Sequence, residues 1–243
     1  YAYDHEWINK TIYQNAYVRT DSYFDNSPLA SSGLPSKNEL ELLNVWKDEI
    51  PAEVFTETFT PPLTDGSGND RKNLLKAKEI LEKEGWKVEN GKLFKDGQEF
   101  KFEFLIVSPS DEKIALAYQS NLKKLGITMD VRTVDSSQYQ ERLLSYDFDM
   151  IKRYWGVSLS PGNEQQFYWG SEVGQKDGSR NYPGINSPAV DALIEKLINA
   201  SNRQELTTAI HALDRVLLWG HYVVPLYHSN KDRIAYWDFF EYP

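Results

Sequence analysis

Apolar residues recur at every second position in three stretches through the middle of the chain. The first stretch, 99–107, presents its apolar side chains on one side of an extended backbone, as a β-strand does. These side chains belong to Phe100, Phe102, Phe104 and Ile106. The stretch 127–134 alternates in the same way, and a third runs from about 147 to 155. The pattern therefore predicts three strands.

Helical spacing separates these strands. Apolar residues within 71–84, 111–125 and 136–145 recur every three or four positions. Gly85 and Gly126 follow the first two stretches, where glycine commonly ends a helix. Helices that alternate with strands through short connections imply parallel neighbouring strands and right-handed crossovers. We therefore expect the α/β fold class, with a mostly parallel sheet flanked by helices.

The regions on either side of this passage carry further helical patterns. Four more helices are predicted, at 3–14, 37–46, 188–198 and 201–219. We expect Ser201 with Gln204 to start the last of them and Gly220 to end it, and the last two helices to pack against the sheet. The segment 19–38 is rich in Ser, Pro and Gly and predicts a long loop. The apolar residues 221–227 predict a buried strand that leaves the domain.

Composition narrows the class of protein. Of the 243 residues, 40% are hydrophobic and 26% are charged, which is typical of a globular chain. The sequence has no run of 18 apolar residues, so we expect no membrane insertion. The formal net charge of −9 argues against nucleic acid as a partner, because that role needs a concentrated basic face.

Motifs for catalysis or cofactor binding are missing from the sequence. Cysteine is absent, and the four histidines have no metal-ligand spacing. No Walker A loop, dinucleotide-binding glycine motif or G-x-S-x-G elbow occurs. We therefore expect a protein with no metal, no cofactor and no catalytic residue, and not an enzyme.

A polar loop that leads into a helix is the most informative local feature. Ser187 is a good N-cap, Pro188 suits the first helical position, and Asp191 lies where a negative charge meets the helix dipole. Before them, residues 180–182 place an arginine, an asparagine and a tyrosine side by side. This combination favours a polar, partly aromatic ligand surface.

The same loop carries a family resemblance. From Asn181 onward it resembles the N-Y-x-G-x-x-x-P-x-x-D-x-L signature of the family 5 extracellular solute-binding proteins of ABC importers. Residues 121–127 resemble the N-L-x-x-L-G-I segment of that family, and 224–227 its V-P-L-Y strand. The greatest likeness is to the YejA-type oligopeptide-binding branch. Its cues here are the segments 19–24, 32–36, 160–164, 178–182 and 234–237.

The resemblance implies a two-lobe, periplasmic-binding-protein-like fold that closes on its ligand. On this interpretation residues 1–220 form the second lobe, and 221–243 form a hinge strand that returns toward the first. A first lobe and a signal peptide are then expected upstream of Tyr1. The implied function is binding of oligopeptides or peptide-like small molecules in the periplasm and their delivery to the membrane permease of an ABC transporter.

The ligand site is expected in loops at the strand ends, because such loops project into the cleft while the sheet stays rigid. The predicted ligand-binding residues are Trp155, Ser158, Glu164, Arg180, Asn181 and Tyr182. Main-chain groups of 156–162 would supply further hydrogen bonds. Many peptide-binding members of the family carry an acidic residue near Ser158 that pairs with the peptide's amino group. Glu164 is the first carboxylate after that position here, so either Glu164 reaches the amino group or this branch recognises its peptide differently.

Each of these predictions has an alternative. Arg180 could clamp its own loop through Asp177 or a backbone carbonyl, and Trp155 and Trp169 could be ordinary core residues. As the second lobe, the chain should leave apolar surface exposed, or covered by another chain, around Trp155, Tyr182 and Tyr227.

Two rival functions also remain open at this stage. The first is an α/β hydrolase or transferase that uses Asp147, Asp149 or Glu164 as acid/base residues. Because Asp147 and Asp149 are two positions apart on one strand, they point the same way and do not flank a bond. The second rival is a standalone structural or partner-docking domain.

Overall fold

The computed structural model describes residues 1–174, 176–231, 234, 235 and 237. Within them the helices are α1 (His5–Thr11), α2 (Lys37–Leu43), α3 (Glu53–Thr56), α4 (Arg71–Lys83), α5 (Pro109–Lys124), α6 (Ser136–Leu144), α7 (Glu164–Trp169), α8 (Pro188–Ile198) and α9 (Arg203–Trp219). The strands are β1 (Val18–Arg19), β2 (Lys87–Glu89), β3 (Lys92–Lys95), β4 (Gln98–Glu99), β5 (Lys101–Ile106), β6 (Thr128–Thr133), β7 (Met150–Ile151) and β8 (Tyr227–His228). No helix in this described part is long and apolar enough to cross a membrane.

The central sheet has the strand order β6–β5–β7, and both pairings are parallel. β5 runs beside β6 from Lys101 opposite Thr128 to Ile106 opposite Thr133. β7 joins the other edge of β5 at Phe104. Helices α5 and α6 connect the strands in sequence. The predicted α/β class with a mostly parallel sheet and flanking helices is confirmed.

The two faces of β5 pack against different helices. Phe104 and Ile106 pack with Leu122 of α5 on one face. Leu105, on the other face, packs with Leu143 of α6. Residues 104–106 are accordingly apolar without a break, as is typical of a parallel strand that is covered on both faces, and the predicted alternation holds only for 101–103.

β7 is shorter than the predicted strand at about 147–155. Before it, the Asp147 N–H donates to the Arg142 carbonyl at 2.9 Å, so the chain is still bonded to the end of α6. After it, the Lys152 carbonyl accepts a hydrogen bond from the Tyr139 hydroxyl at 3.1 Å instead of joining the sheet. Residues beyond Ile151 therefore form an irregular loop.

A second core lies around the last two helices. Leu193 of α8 and Leu213 of α9 are completely or almost completely buried there, together with Phe24, Leu43 and Val54. The prediction that α8 and α9 pack against the sheet is wrong, because they pack on each other and on α2, α3 and α7. The last helix is also capped differently. The Asn202 side chain, not Ser201, accepts from the Glu205 N–H at 3.0 Å.

Two small antiparallel sheets complete the described fold. β2, β3 and β4 form a meander at 87–99 that the sequence analysis did not predict. β1 pairs with β8, Arg19 lying opposite Tyr227. The predicted buried strand at 221–227 is therefore wrong: only its last residue is in a strand, and its side chains are half-buried or exposed. Much of the predicted hinge at 221–243 lies outside the described residues.

Candidate functional site

The loop that follows β7 leaves the carboxyl edge of the central sheet, and the loop 178–186 lies beside it. The loop after β7 begins at Lys152, where the Tyr139 hydroxyl of α6 holds the backbone carbonyl at 3.1 Å. The loop 178–186 comes alongside, since the Gly178 N–H donates to the Leu144 carbonyl at 2.9 Å. In open α/β sheets this edge is where ligands bind.

Aromatic side chains from both loops form a continuous surface, which we call the aromatic wall (Tyr146, Phe148, Trp155 and Tyr182). The Tyr182 ring centre lies 6.0 Å from Tyr146, 6.3 Å from Phe148 and 6.4 Å from Trp155. All four side chains are half-buried. Trp155 also lies 4.9 Å from the fully buried Trp169, so the second core supports the wall from behind.

The Trp155 indole combines packing with an unused donor. It packs against the second core, as the structural alternative predicts, yet it is only half-buried. Its Nε1 is buried and has no hydrogen-bond partner among the described residues. Trp155 therefore presents one face of its ring at the wall while its back is fixed by Trp169.

Two arginines accompany the wall. The Arg153 guanidinium carbon lies 5.2 Å from the centre of the Tyr182 ring, within cation–π range. Arg180 is exposed, and its backbone N–H donates to the Phe167 carbonyl at 3.2 Å. Within the described residues its guanidinium pairs neither with Asp177 nor with a backbone carbonyl, so the structure does not contain the clamp that the alternative requires.

Lys152 adds a third cation at the sheet edge. Its ammonium pairs with Asp111 in the first turn of α5 and donates to the Tyr227 hydroxyl at 3.1 Å. The Tyr227 and Tyr13 hydroxyls are 2.7 Å apart. Burial raises the pKa of both phenols, so they stay neutral at physiological pH. This network joins the sheet edge to β8.

Asn181 lies beneath the surface rather than on it. Its side chain is fully buried, and its amide donates to the carbonyls of Gly170 and Ile185 at 3.0 and 2.8 Å. Its carbonyl oxygen accepts from the Ile185 N–H at 2.9 Å. The observed geometry therefore favours a positioning role for Asn181, which fixes Arg180 and Tyr182 on either side of it.

Ser158 and Glu164 differ in how many hydrogen bonds their side chains already form within the protein. Ser158 is exposed, and its hydroxyl oxygen accepts from the Ser160 N–H at 3.1 Å. The Glu164 carboxylate accepts from the Gly162 N–H at 3.0 Å and from the Gln165 side chain at 3.3 Å. Glu164 thus closes its own turn in this conformation, and a direct ligand contact would require it to give up these bonds.

The three carboxylates that the enzyme hypothesis names each bind a different partner within the protein. Asp147 forms an ion pair with Arg142 at 2.8 Å. Asp149 accepts from the Glu103 backbone N–H at 2.8 Å. With Glu164 bonded to its own turn, the three side chains serve three different structural contacts. Across the described residues, no group of three or more metal-ligating side chains is gathered in one place.

The sequence does not single out Lys152, Arg153, Tyr146 or Phe148. The cations stand between a strand and the conspicuous Trp155, and the two aromatics precede the strand, so they resemble ordinary flanking residues. A count of cations and aromatics at both ends of the predicted strand would have identified them. Together the aromatic wall and its cations suit noncovalent binding of apolar side chains and of anionic groups.

Comparisons with known proteins place these features in a family. Residues 1–177 match the family described as bacterial extracellular solute-binding proteins, family 5 Middle. An uncharacterized protein of Sinorhizobium fredii is 49% identical over 240 residues, which cover 98% of this chain and 36% of that protein. A probable peptide-binding protein of Agrobacterium fabrum, YejA, is 43% identical over 240 residues, covering 98% of this chain and 39% of that protein.

A solved structure has the same fold. The oligopeptide-binding protein AppA of Bacillus subtilis, in complex with a nonapeptide, superposes with a TM-score of 0.68 at 23% identity. The match covers 93% of this chain and 40% of AppA. This chain therefore spans about two fifths of the length of the proteins it resembles.

Proposed function

The chain belongs to the bacterial extracellular solute-binding proteins of family 5, and we propose on this premise that it supplies the second lobe of a periplasmic oligopeptide-binding protein. The full-length protein would deliver its ligand to the membrane permease of an ABC importer. Residues 1–220 would form the lobe and 221–243 the return toward the first lobe. The peptide-binding relative and the fold shared with AppA support this proposal.

The observation that carries the proposal is the aromatic wall beside β7, together with the cations that follow this strand. Trp155 and Tyr182 would contact apolar parts of the ligand, since their half-buried rings still have apolar surface that a ligand can cover. Arg180, which has no salt bridge within the described residues, would bind a ligand carboxylate through two parallel N–H groups. Arg153 would strengthen this attraction from the far side of Tyr182.

The loop after Trp155 would contribute main-chain hydrogen bonds. Residues 156–160 are exposed and lie outside any helix or strand, so their backbone groups are accessible to a peptide. Main-chain pairing is indifferent to most side chains, which suits a protein that accepts many peptides. Ser158 would assist with its hydroxyl.

The charges of this loop favour recognition of an anionic end of the ligand. In residues 152–164 the single acidic residue is Glu164, and the loop also holds Lys152 and Arg153. Because Glu164 already bonds to its own turn, we propose that this branch binds the peptide's carboxylate more strongly than its amino group. Glu164 and Asn181 would act by holding the two loops in shape.

Binding is favoured over catalysis. Asp147, Asp149 and Glu164 each satisfy a different structural contact, so they lack the shared orientation that an acid/base pair requires. The family is one of solute-binding proteins, which is consistent with a protein that is not an enzyme.

An incubation followed by mass spectrometry separates these two functions. The full-length protein is mixed with a pool of short peptides, separated from free peptide by gel filtration, and then denatured. We expect intact peptides in the protein fraction. Recovery of cleaved or modified peptides, at a rate that Asp149→Asn abolishes, would favour the enzyme hypothesis. Recovery of no peptide at all would contradict the proposed function.

A further inference from the structure

A group of polar side chains lies where the start of the chain, β1 and α5 come together. Tyr3 and His5 are each only 4% exposed. Tyr3 packs edge-to-face against Tyr118 of α5 at 5.9 Å. Arg19, on β1, lies with its guanidinium carbon 5.1 Å from the centre of the Tyr3 ring. These residues play no part in the site described above.

Four nitrogen and oxygen atoms in this group have no hydrogen-bond partner among the described residues. They are Nε and Nη1 of Arg19, the hydroxyl of Tyr3 and Nδ1 of His5, and each is buried. Arg19 as a whole is half-buried, but a buried N–H group that lacks an acceptor is costly, and proteins normally pair such groups. Arginine keeps its proton at physiological pH, so its unpaired N–H groups point to an absent acceptor.

The nearby acidic residues are already used elsewhere. Asp4 accepts from the Trp7 N–H at 3.0 Å, from the Gly68 N–H at 2.9 Å and from the Thr64 hydroxyl. Glu6 accepts from the Thr64 N–H at 3.1 Å and from its hydroxyl at 2.7 Å. Both carboxylates therefore hold the loop after residue 63, and neither forms an ion pair with Arg19.

We propose that Arg19, Tyr3 and His5 form a binding site for a single carboxylate group. The Nε–H of Arg19 offers one donor to a carboxylate oxygen, and the Tyr3 hydroxyl offers a second. His5 donates as well when its neutral ring carries the proton on Nδ1. Asp4 and Glu6 add negative charge close by, so a group with one negative charge fits better than a phosphate dianion.

The carboxylate has two sources that share this chemistry. One is an acidic side chain of the longer protein to which this chain corresponds, given that the relatives are about two and a half times its length. The other is a free carboxylate in solution. Both would give Arg19 a partner, and an experiment on the full-length protein distinguishes them.

The test compares thermal unfolding of the wild type and of Arg19→Met, in chloride and in sodium acetate at equal ionic strength. Removing one partner of a buried ion pair leaves the other unpaired, so we expect Arg19→Met to lower the unfolding midpoint by about 5 °C or more. The matched control is Arg132→Met, at an exposed position on β6. It should leave the midpoint within about 1 °C of the wild type.

Each outcome decides the proposal. If Arg19→Met has a lower midpoint than the wild type in chloride, and the difference is the same in acetate, the partner is an acidic side chain of the protein. A wild-type midpoint that rises with acetate, while that of Arg19→Met does not, identifies a free carboxylate. A midpoint for Arg19→Met that is equal to or above the wild type in both salts overturns the proposal. If Arg19→Met does not fold, a crystal structure of the wild-type protein decides, because a carboxylate oxygen within about 3.2 Å of Nε is then required.

Discussion

Arg215 on α9 and Glu39 on α2 form a buried ion pair, with Nε and Oε2 2.6 Å apart. Their side chains are only 5% and 6% exposed. The remaining guanidinium N–H groups donate to the backbone carbonyls of Gly33 and Ser32 at 2.7 and 2.9 Å. One arginine thus fastens the last long helix to α2 and to the loop before it.

The neighbouring Asp214 holds the same loop further upstream. Its carboxylate accepts from the Ser22 hydroxyl at 2.7 Å, from the Tyr23 N–H at 2.8 Å and from the Ser31 N–H at 3.0 Å. Asp214 is completely buried. The irregular segment 20–36 is therefore fixed by two consecutive charged residues of α9, which satisfy several of its backbone groups in place of a sheet.

Arg215→Met tests this attachment. The substitution leaves the Glu39 carboxylate buried without its guanidinium, so we expect a loss of about 3–5 kcal/mol in the free energy of unfolding. Urea unfolding of the full-length protein measures it. Lys196→Met, at an exposed position on α8, is the matched control and should change the free energy by less than about 0.5 kcal/mol. Equal effects of the two substitutions would contradict the role of the pair.

The same pair predicts a dependence of stability on pH. Burial pushes the pKa of Glu39 upward, but hydrogen bonds from His211, Arg215 and Ser36 outweigh it and hold the pKa at about 2. Since this pKa is below the ordinary value of 4.5, the stabilisation is complete above pH 4.5 and is lost as the pH falls toward 2. A difference of about 2.5 pKa units corresponds to about 3 kcal/mol.

Glu39→Gln isolates this contribution, because glutamine does not titrate. We expect the stability advantage of the wild type over the variant to shrink by about 3 kcal/mol between about pH 5 and about pH 2. As the pH falls from about 7 to about 5 the advantage should rise, because the contact with Glu39 raises the pKa of His211. Urea unfolding at a series of pH values gives the two curves. Parallel curves over the whole range would mean that Glu39 has an ordinary pKa.

Asn181→Ala tests whether this buried amide positions the ligand loop. The substitution leaves the Gly170 and Ile185 carbonyls without their shared donor, so we expect a loss of about 1–3 kcal/mol in stability. Peptide affinity should fall as well, since Arg180 and Tyr182 flank the residue. Asn186→Ala is the control, because Asn186 is exposed in the same loop. Thermal unfolding measures the stability, and titration calorimetry of the folded protein measures the peptide affinity. A variant that is as stable as the wild type and binds peptide equally well would contradict the positioning role.

A comparison of two glycines distinguishes the cost of backbone strain from the cost of a steric clash. Gly126 and Gly97 have similar positive φ angles of 80° and 77°. A Cβ on Gly126 would lie 3.0 Å from the Leu93 nitrogen, whereas nothing lies within 4 Å of one on Gly97. We expect Gly97→Ala to cost about 1 kcal/mol and Gly126→Ala at least about 1 kcal/mol more. Similar losses in urea unfolding would mean that the meander can move away from Gly126.

Much of the central fold could be predicted because its periodicity is set by burial. β5 alternates at 101–103, where one face is more exposed, and is continuously apolar at 104–106, where both faces are covered. α4, α5 and α6 follow the predicted bounds within about two residues. The meander at 87–99 was missed although its turns are Asn90-Gly91 and Asp96-Gly97, all four with positive φ. Such pairs are strong hairpin signals, and its strands are too short and too exposed to show a pattern of their own.

The candidate site was less predictable, because residue type does not give side-chain direction. Arg180 and Asn181 are adjacent polar residues in a loop, yet one is exposed and the other is completely buried. Lys152 and Arg153 were overlooked because their partners, Asp111 and Tyr182, are distant in sequence. Long-range contacts of this kind follow from the topology of the sheet and not from local patterns.

Isothermal titration calorimetry of Arg180→Ala tests the proposed peptide site most directly. The full-length wild type and variant are titrated with one peptide in two forms, with a free C-terminal carboxylate and as the C-terminal amide. We expect the variant to bind the free-acid form about 10- to 150-fold more weakly, corresponding to the 1.5–3 kcal/mol of a hydrogen bond to a charged group. The amide form should bind both proteins almost equally. An unchanged affinity for the free-acid peptide, in a variant that folds normally, would contradict a ligand-binding role for Arg180.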